Sequence, residues 1–195
     1  MGSPREQVQQ ALAAGGTTTA AALELFDALP VVEVEAMLGS WEGQGFPTGH
    51  PLDGLLEAFH WRGKRFDSPE DGHPLVFTGP GGGEVALDPG RIGPLLALAT
   101  RVPMPRSGLA GRLFQLCTPL LSTSHSRSRL RMIRHRDRTS ATMVYDQLPI
   151  LDVFRRIDDD TLLGLMDGKG MAQPFFFLLR RADAPHRTPC ATSPH

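Results

Sequence analysis

Tyr145, Asp146 and Asp152 crowd the two ends of one short turn, Gln147-Leu148-Pro149, and Tyr145 is the chain's single tyrosine. Two carboxylates brought to one rim of a hairpin, in apolar surroundings, can separate their pKa values and serve as acid and base. The phenol beside them is a candidate hydrogen-bond donor. The plainer alternative has Asp146 stabilising the turn and Asp152 paired with Arg155 or Arg156. Strand alternation puts Ala141, Met143 and Tyr145 on one face and Thr142, Val144 and Asp146 on the other. Which face lines a cavity is left open by the sequence. Lys64 and Lys169 are the only two lysines, so either stands out as a partner for a ligand carboxylate or phosphate at a cavity mouth. Lys169, in the turn Asp167-Gly168-Lys169-Gly170, reads more simply as a solvated turn residue, whereas for Lys64 the two readings stand level. Lys64 lies between the aromatic positions Trp61 and Phe66. Trp41, Trp61, Lys64, Met143 and Met166 complete the set expected against an apolar ligand, with Trp41 also readable as a core plug.

Other chemistries lack their residues. No H-x-x-x-H or H-E-x-x-H occurs among the seven histidines, so no metal site is expected. Cys117 and Cys190 are too few for a structural zinc site or a disulfide framework, which suits a reduced, cytoplasmic protein. There is no G-x-S-x-G nucleophile motif, and Gly79–Gly83 lacks the Lys-Ser/Thr of a P-loop. The last strand candidate has no histidine, and His125 and His135 are unsupported as haem ligands. No cofactor is therefore expected. The net charge of −1 disfavours nucleic acid as a partner. Six arginines between Arg127 and Arg138 form a basic run, but without interleaved aromatic residues. A solvated outer face paired with acids such as Asp158–Asp160 accounts for it, and a phosphate-binding or acidic-partner patch is the alternative. No apolar run approaches 18 residues, so no membrane span is expected. The heavy use of Arg, Ala, Gly and Pro carries the imprint of a high-G+C, bacterial genome. The oligomeric state is left open.

With 195 residues, 41% of them hydrophobic, the chain can bury a single core. Residues 1–16 read as a flexible start ending at Gly15-Gly16. Residues 17–38 read as two short helices, the first capped by Thr17–Thr19 and the second covering Val31–Leu38. Gly39–Gly45 alternates as a strand, Leu52–Trp61 looks helical, and Leu75–Thr78 is a strand. Glu84–Leu87 is a possible strand, followed by helices over Ile92–Leu98 and Leu109–Leu121 joined by a loop at Pro103–Ser107. The runs Ser128–Arg136, Ser140–Asp146, Ile150–Ile157, Thr161–Met166 and Phe175–Arg181 are separated by turn residues. That spacing predicts an antiparallel meander, with a slip of phase suggesting a bulge at Met132-Ile133. Residues 183–195 read as a flexible tail. Residues 39–182 would then form one small antiparallel meander β-barrel, mainly β with N-terminal and mid-chain helices, whose closure removes exposed sheet edges.

The string Gly39-Ser40-Trp41-Glu42-Gly43-Gln44-Gly45 spaces glycines around one tryptophan and permits close backbone approach. With Phe46–Leu52, Trp61–Lys64, Thr142–Asp146, Pro149–Phe154 and Leu163–Asp167, it resembles the GXWXG proteins that carry a domain of unknown function numbered 4334. The resemblance covers about residues 25–182 and departs at Arg62, at Asp137-Arg138 and over residues 88–126. It implies a calycin-like barrel, of lipocalin or fatty-acid-binding-protein type, with Arg180 or Arg181 laid across Trp41. It implies no particular activity.

Two functional expectations follow. One is a barrel that holds a hydrophobic small molecule, lipid-, polyene- or terpenoid-like, in its interior. The other is a cofactor-independent isomerase, cyclase or lyase using Asp146, Asp152 and Tyr145 in the same cavity. A protein-interaction module built on the arginine-rich strand is a third, lesser expectation.

Overall fold

The computed structural model describes residues 2–79, 82–99 and 108–183. The expected loop at 103–107, residues 80 and 81 of the glycine-rich turn, and the tail from 184 onward lie outside them.

Among the described residues there are nine strands and five α-helices. The strands are β1 (Gly39–Gly45), β2 (Trp61–Phe66), β3 (Gly72–Thr78), β4 (Glu84–Ala86), β5 (Ser128–His135), β6 (Arg138–Tyr145), β7 (Ile150–Asp158), β8 (Thr161–Gly168) and β9 (Phe175–Arg181). They form one antiparallel sheet in the order β2-β1-β9-β8-β7-β6-β5-β3-β4, and a β2–β3 pairing closes it into a ring. The mainly β, barrel-like fold expected from the turn spacing is what the chain adopts, and all five C-terminal runs are strands of the meander.

One part of the ring is only lightly sewn. β5 meets β3 through a single pair, Gly72↔Ser128. Further along the same edge β3 pairs instead with the short β4, through Val76↔Ala86 to Thr78↔Glu84. The segment that leaves β4 fills this seam as α4 (Pro89–Ala99) and α5 (Gly108–Leu121), and Asp88 holds it to the start of β5 through Arg127 at 3.0 Å.

The N-terminal region departs from expectation. Pro4–Ala13 forms α1, where a flexible start was expected. Ser3 and Glu6 make a reciprocal capping box, Pro4 opens the first turn, and Val8 is buried. After α2 (Thr19–Ala28) the expected second helix shrinks to a 3-10 turn, Val34–Met37. Pro30 and the β-branched pair Val31-Val32 favour extended backbone there, and Val32 instead exchanges hydrogen bonds with Ser140 and Ala141. The helix expected over Leu52–Trp61 is only α3 (Leu55–Ala58), because Trp61 already begins β2. No bulge occurs at Met132-Ile133: the β5–β6 ladder runs in register from Ser128↔Tyr145 to His135↔Arg138. Met132 keeps phase with Ser128 and Leu130, although it is 38% exposed.

The core has two layers. Inside the ring lie Trp61, Phe66, Phe77, Met143, Phe154 and Phe177 among others. Outside it, Phe26 and Leu29 pack on Val153, Leu163, Leu165 and Phe176, with α1 adding Val8. Strands β7 to β9 are thus covered on both faces, which explains why Phe175–Leu179 is continuously apolar rather than alternating. The basic strand is a solvated face, but its acids are not Asp158–Asp160. Arg129 pairs with Asp146 at 3.6 Å and Arg131 with Glu70 at 2.8 Å, while Arg136 reaches Asp27 of α2.

Candidate functional site

Four cross-strand neighbours set the floor of the barrel interior. The registers Met143↔Asp152, Asp152↔Met166 and Met166↔Phe175 place these residues in one row across β6 to β9. Side chains paired in register share a face, so Asp152 is carried inward among hydrophobic neighbours. Tyr145, two residues beyond Met143, shares that face. Asp146 therefore faces outward, where Arg129 holds it, and it takes no part in the cavity. This corrects the expectation of a carboxylate pair at one rim. The residue that meets Asp152 is a lysine, not Arg155 or Arg156.

Lys64 reaches the same place because of a break in β2. The β2–β3 register shifts on either side of Gly63, whose φ is +144° and where a Cβ would collide with the Trp41 carbonyl. Trp61 and Lys64 are three positions apart and would face opposite ways in a regular strand. The bulge reverses the parity, so both point inward. Lys64 Nζ donates to Asp152 Oδ2 at 2.8 Å and to the Pro74 carbonyl at 3.2 Å. It also stands 5.0 Å from the Phe177 ring centroid and 5.7 Å from those of Trp61 and Tyr145. Both members of the ion pair are nearly sealed from solvent, with 3% and 1% of their side chains exposed. The Tyr145 hydroxyl donates to Asp152 Oδ2 across a long 3.5 Å. Asp152 Oδ1 and the indole N–H of Trp61 have no hydrogen-bond partner. Burial raises the Asp152 pKa, against the opposing pull of Lys64. Burial also raises the Tyr145 pKa well above 10, with the Asp152 charge adding to it.

Above this group lies a cavity of about 100 Å³. Lys64, Trp61, Tyr145, Asp152, Met166 and Phe177 form its depth. Its outer wall is α3 with Leu55 and Leu56, Phe59 just beyond it, Ile92 of α4, Phe114 of α5 and Leu148 of the β6–β7 turn. Phe114 packs on Phe59 at 4.7 Å and on Phe77 at 5.5 Å, tying the seam helices to the barrel. The wall it presents is almost wholly carbon, with the Lys64–Asp152 pair just beneath. Of the residues expected against a ligand, Trp61, Lys64 and Met166 line the cavity with Tyr145 and Asp152. Met143 is buried in the same core but is not in the wall. Trp41 plugs the barrel elsewhere: it is 3% exposed, donates from Nε1 to the Met37 carbonyl at 2.7 Å, and lies 4.3 Å beneath the Arg181 guanidinium. Lys169 stays in its exposed turn.

The sequence reading missed most of the wall. Phe175 and Phe177 were legible only as a hydrophobic run, and their inward parity follows from pairing with β8. Phe59, Phe114 and Leu148 sit where turn and helix packing, not periodicity, decides direction. Among the described residues no group of three His, Cys, Asp or Glu side chains is placed to hold a metal, and no helix is long and apolar enough to cross a membrane.

Comparison with known proteins places the chain. Residues 24–82 match the family model described as GXWXG protein, and residues 126–181 match a domain of unknown function (DUF4334). A crystal structure of a protein from Thermomonospora curvata superposes with a TM-score of 0.65 at 30% identity, covering 91% of this chain and 97% of that one. No curated protein matches. The tryptophan motif of β1, the meander that follows, and a solved relative spanning nearly the whole chain together make this a member of the GXWXG–DUF4334 family.

Proposed function

We propose that the protein binds a small hydrophobic molecule inside its barrel. The supporting observation is the carbon-walled cavity itself, held open between the barrel interior and the helices of the seam. Atoms lining an empty apolar space forfeit dispersion contacts, so filling about 100 Å³ is worth on the order of 2 kcal/mol. The volume suits one ring or a branched chain of a few carbons, comparable with dry cavities of ~150 Å³ that accept benzene. A longer lipid-, polyene- or terpenoid-like guest fits only if α3 and the seam helices move outward, or if one end of it enters. The exposed free Cys117 suits a reducing compartment such as the cytoplasm.

The test is calorimetric titration with toluene, alongside native mass spectrometry of protein isolated under mild conditions. Toluene should bind, and Leu56→Trp, which fills the space, should abolish binding without loss of fold. Undiminished binding by the Trp variant places the guest elsewhere. No binding by wild type, with only bare protein in the mass spectrum, refutes the reading.

The acid–base reading keeps one specific support. Asp152 is a desolvated carboxylate at the cavity's depth, with a raised pKa and one oxygen free of partners. Such a group can take a proton from a bound guest and return it, while the Lys64 ammonium stabilises the anion formed between the two steps. That is the outline of a cofactor-independent isomerase, cyclase or lyase. If a substrate is found, Asp152→Asn should lower turnover by about 10²–10⁴-fold and Asp146→Asn should leave it unchanged. Equal turnover in wild type and Asp152→Asn removes the carboxylate from the chemistry.

A further inference from the structure

Two polar atoms, on residues that line the cavity and just beneath its carbon wall, are buried and unpartnered, and they are of opposite kind. Asp152 Oδ1 is an acceptor without a donor, and Trp61 Nε1 is a donor without an acceptor. Their residues line the same cavity and flank one group, the Lys64 ammonium, which is 2.8 Å from Asp152 Oδ2 and 5.7 Å from the Trp61 ring centroid. The indole cannot turn away toward β1. Its benzo edge is packed against Gly43 so closely that a Cβ there would overlap it, which leaves the pyrrole N–H on the far side from that strand. Tyr145 does not relieve Asp152 Oδ1, since its hydroxyl is directed to Oδ2.

Leaving a buried donor or acceptor unmade costs about 1–3 kcal/mol each, so a guest that satisfies both gains more than its carbon surface provides. The smallest neutral group able to accept one hydrogen bond and donate another is a hydroxyl. A carboxylate has no hydrogen for Asp152 and would be repelled by it. A ketone answers only the indole. An ammonium answers only the carboxylate and would bring a second cation beside Lys64. The Lys64–Asp152 pair is already neutral overall, which also favours an uncharged guest.

We propose that the cavity selects an apolar alcohol or phenol of about one ring in size, its oxygen accepting from Trp61 Nε1 and its hydrogen directed to Asp152 Oδ1. The inference rests on the cavity reading above and adds the polar end of the ligand to it.

The test compares three guests of nearly equal shape by calorimetric titration of the wild-type protein: phenol, toluene and benzoate. In a merely apolar cavity toluene binds tightest, because phenol must shed the water on its hydroxyl without recompense. The proposal reverses that order. Phenol should bind about tenfold or more tighter than toluene, the range for hydrogen bonds to a charged partner, and benzoate should bind weakest. Trp61→Phe removes the donor but keeps an aromatic wall, so it should narrow the phenol-to-toluene ratio. If that variant does not fold, the wild-type ratio decides alone. Toluene binding as tightly as phenol, as it would if trapped water already answered both atoms, overturns the hydroxyl assignment and leaves the cavity reading standing. Benzoate binding tightest overturns it in favour of Lys64 as an anion partner. If none of the three binds, the cavity reading fails and the hydroxyl assignment with it.

Discussion

Lys64→Met places a defined strain on the protein, because it strands a carboxylate that the structure holds almost fully buried. In the wild type Asp152 has the ammonium at 2.8 Å and a phenol at 3.5 Å. In the variant only the phenol remains. Breaking a buried pair from one side costs roughly 3–5 kcal/mol. Here the loss has a ceiling, since Asp152 can escape its charge by taking a proton. With an unfolded pKa near 3.9 and about 1.4 kcal/mol for each unit of pH, protonation at pH 7 costs about 4 kcal/mol and at pH 5 about 1.5 kcal/mol. The sign follows from proton binding. A carboxyl whose folded pKa is raised holds its proton in the native state and not in the unfolded one, so native stability falls as pH rises between the two pKa values. Urea denaturation of wild type and Lys64→Met should therefore differ by about 3–4 kcal/mol at pH 7 and by roughly 1–2 kcal/mol at pH 5. Replacing both partners, as Lys64→Met with Asp152→Leu, should restore most of the loss, because two apolar side chains carry no desolvation cost. A Lys64→Met penalty below about 1 kcal/mol, or one that does not change with pH, would show that the pair is not sealed from water as described.

Three further outcomes follow from packing and titration. Gly43→Ala should cost about 1–3 kcal/mol by driving a methyl into the Trp61 benzo edge, and adding Trp61→Phe should relieve part of that cost; a double variant as unstable as the sum of the singles contradicts the contact. Arg181→Lys should cost about 1–2 kcal/mol in urea midpoint analysis, because lysine cannot stack on Trp41 while donating to both the Leu38 and Ala36 carbonyls. Burial depresses the His50 pKa below its usual 6.5, with Asp53 opposing, and the neutral Nδ1 accepts from the Leu52 N–H at 3.1 Å. Its contribution is full above 6.5 and lost as pH falls through the lowered folded value, so His50→Asn should lose less stability than wild type between pH 7 and 5; equal losses would assign the acid sensitivity to other groups.

The meander was legible because its turns are chemically explicit. Asp158–Asp160 and Asp167–Gly170 cannot sit inside strands, and what lies between them alternates or is fully apolar. β2 was illegible because the bulge at Gly63 destroys alternation, so that Trp61 reads as the end of the helix expected over Leu52–Trp61. α1 carried a signal that could have been found, the Ser3-x-x-Glu6 capping box. At the site, Tyr145, Asp152, Lys64, Trp61 and Met166 do come together, but residue type alone could not order them. Asp146 differs from Asp152 only in strand parity, which the register with β5 and β8 decides. Trp41 and Met143 are buried for the same hydrophobic reasons as the cavity residues, and nothing in a linear sequence separates a core position from a wall.

The lightly sewn seam between β3 and β5 divides the molecule into a frame and an insert. The two matched family regions end and resume at its edges, at residues 82 and 126, so β4, α4 and α5 fall in the unmatched interval. That interval supplies Ile92 and Phe114 to the cavity wall, whereas Lys64, Asp152 and Tyr145 belong to the frame. The polar group thus lies wholly in the frame, while the wall around it is shared between frame and insert. Exchange or remodelling of residues 83–125 would alter that part of the cavity wall while the frame's hydrogen-bonded ladders, and its buried ion pair, stay as they are. Grafting that interval between relatives would reshape one side of the cavity and leave the other as it is.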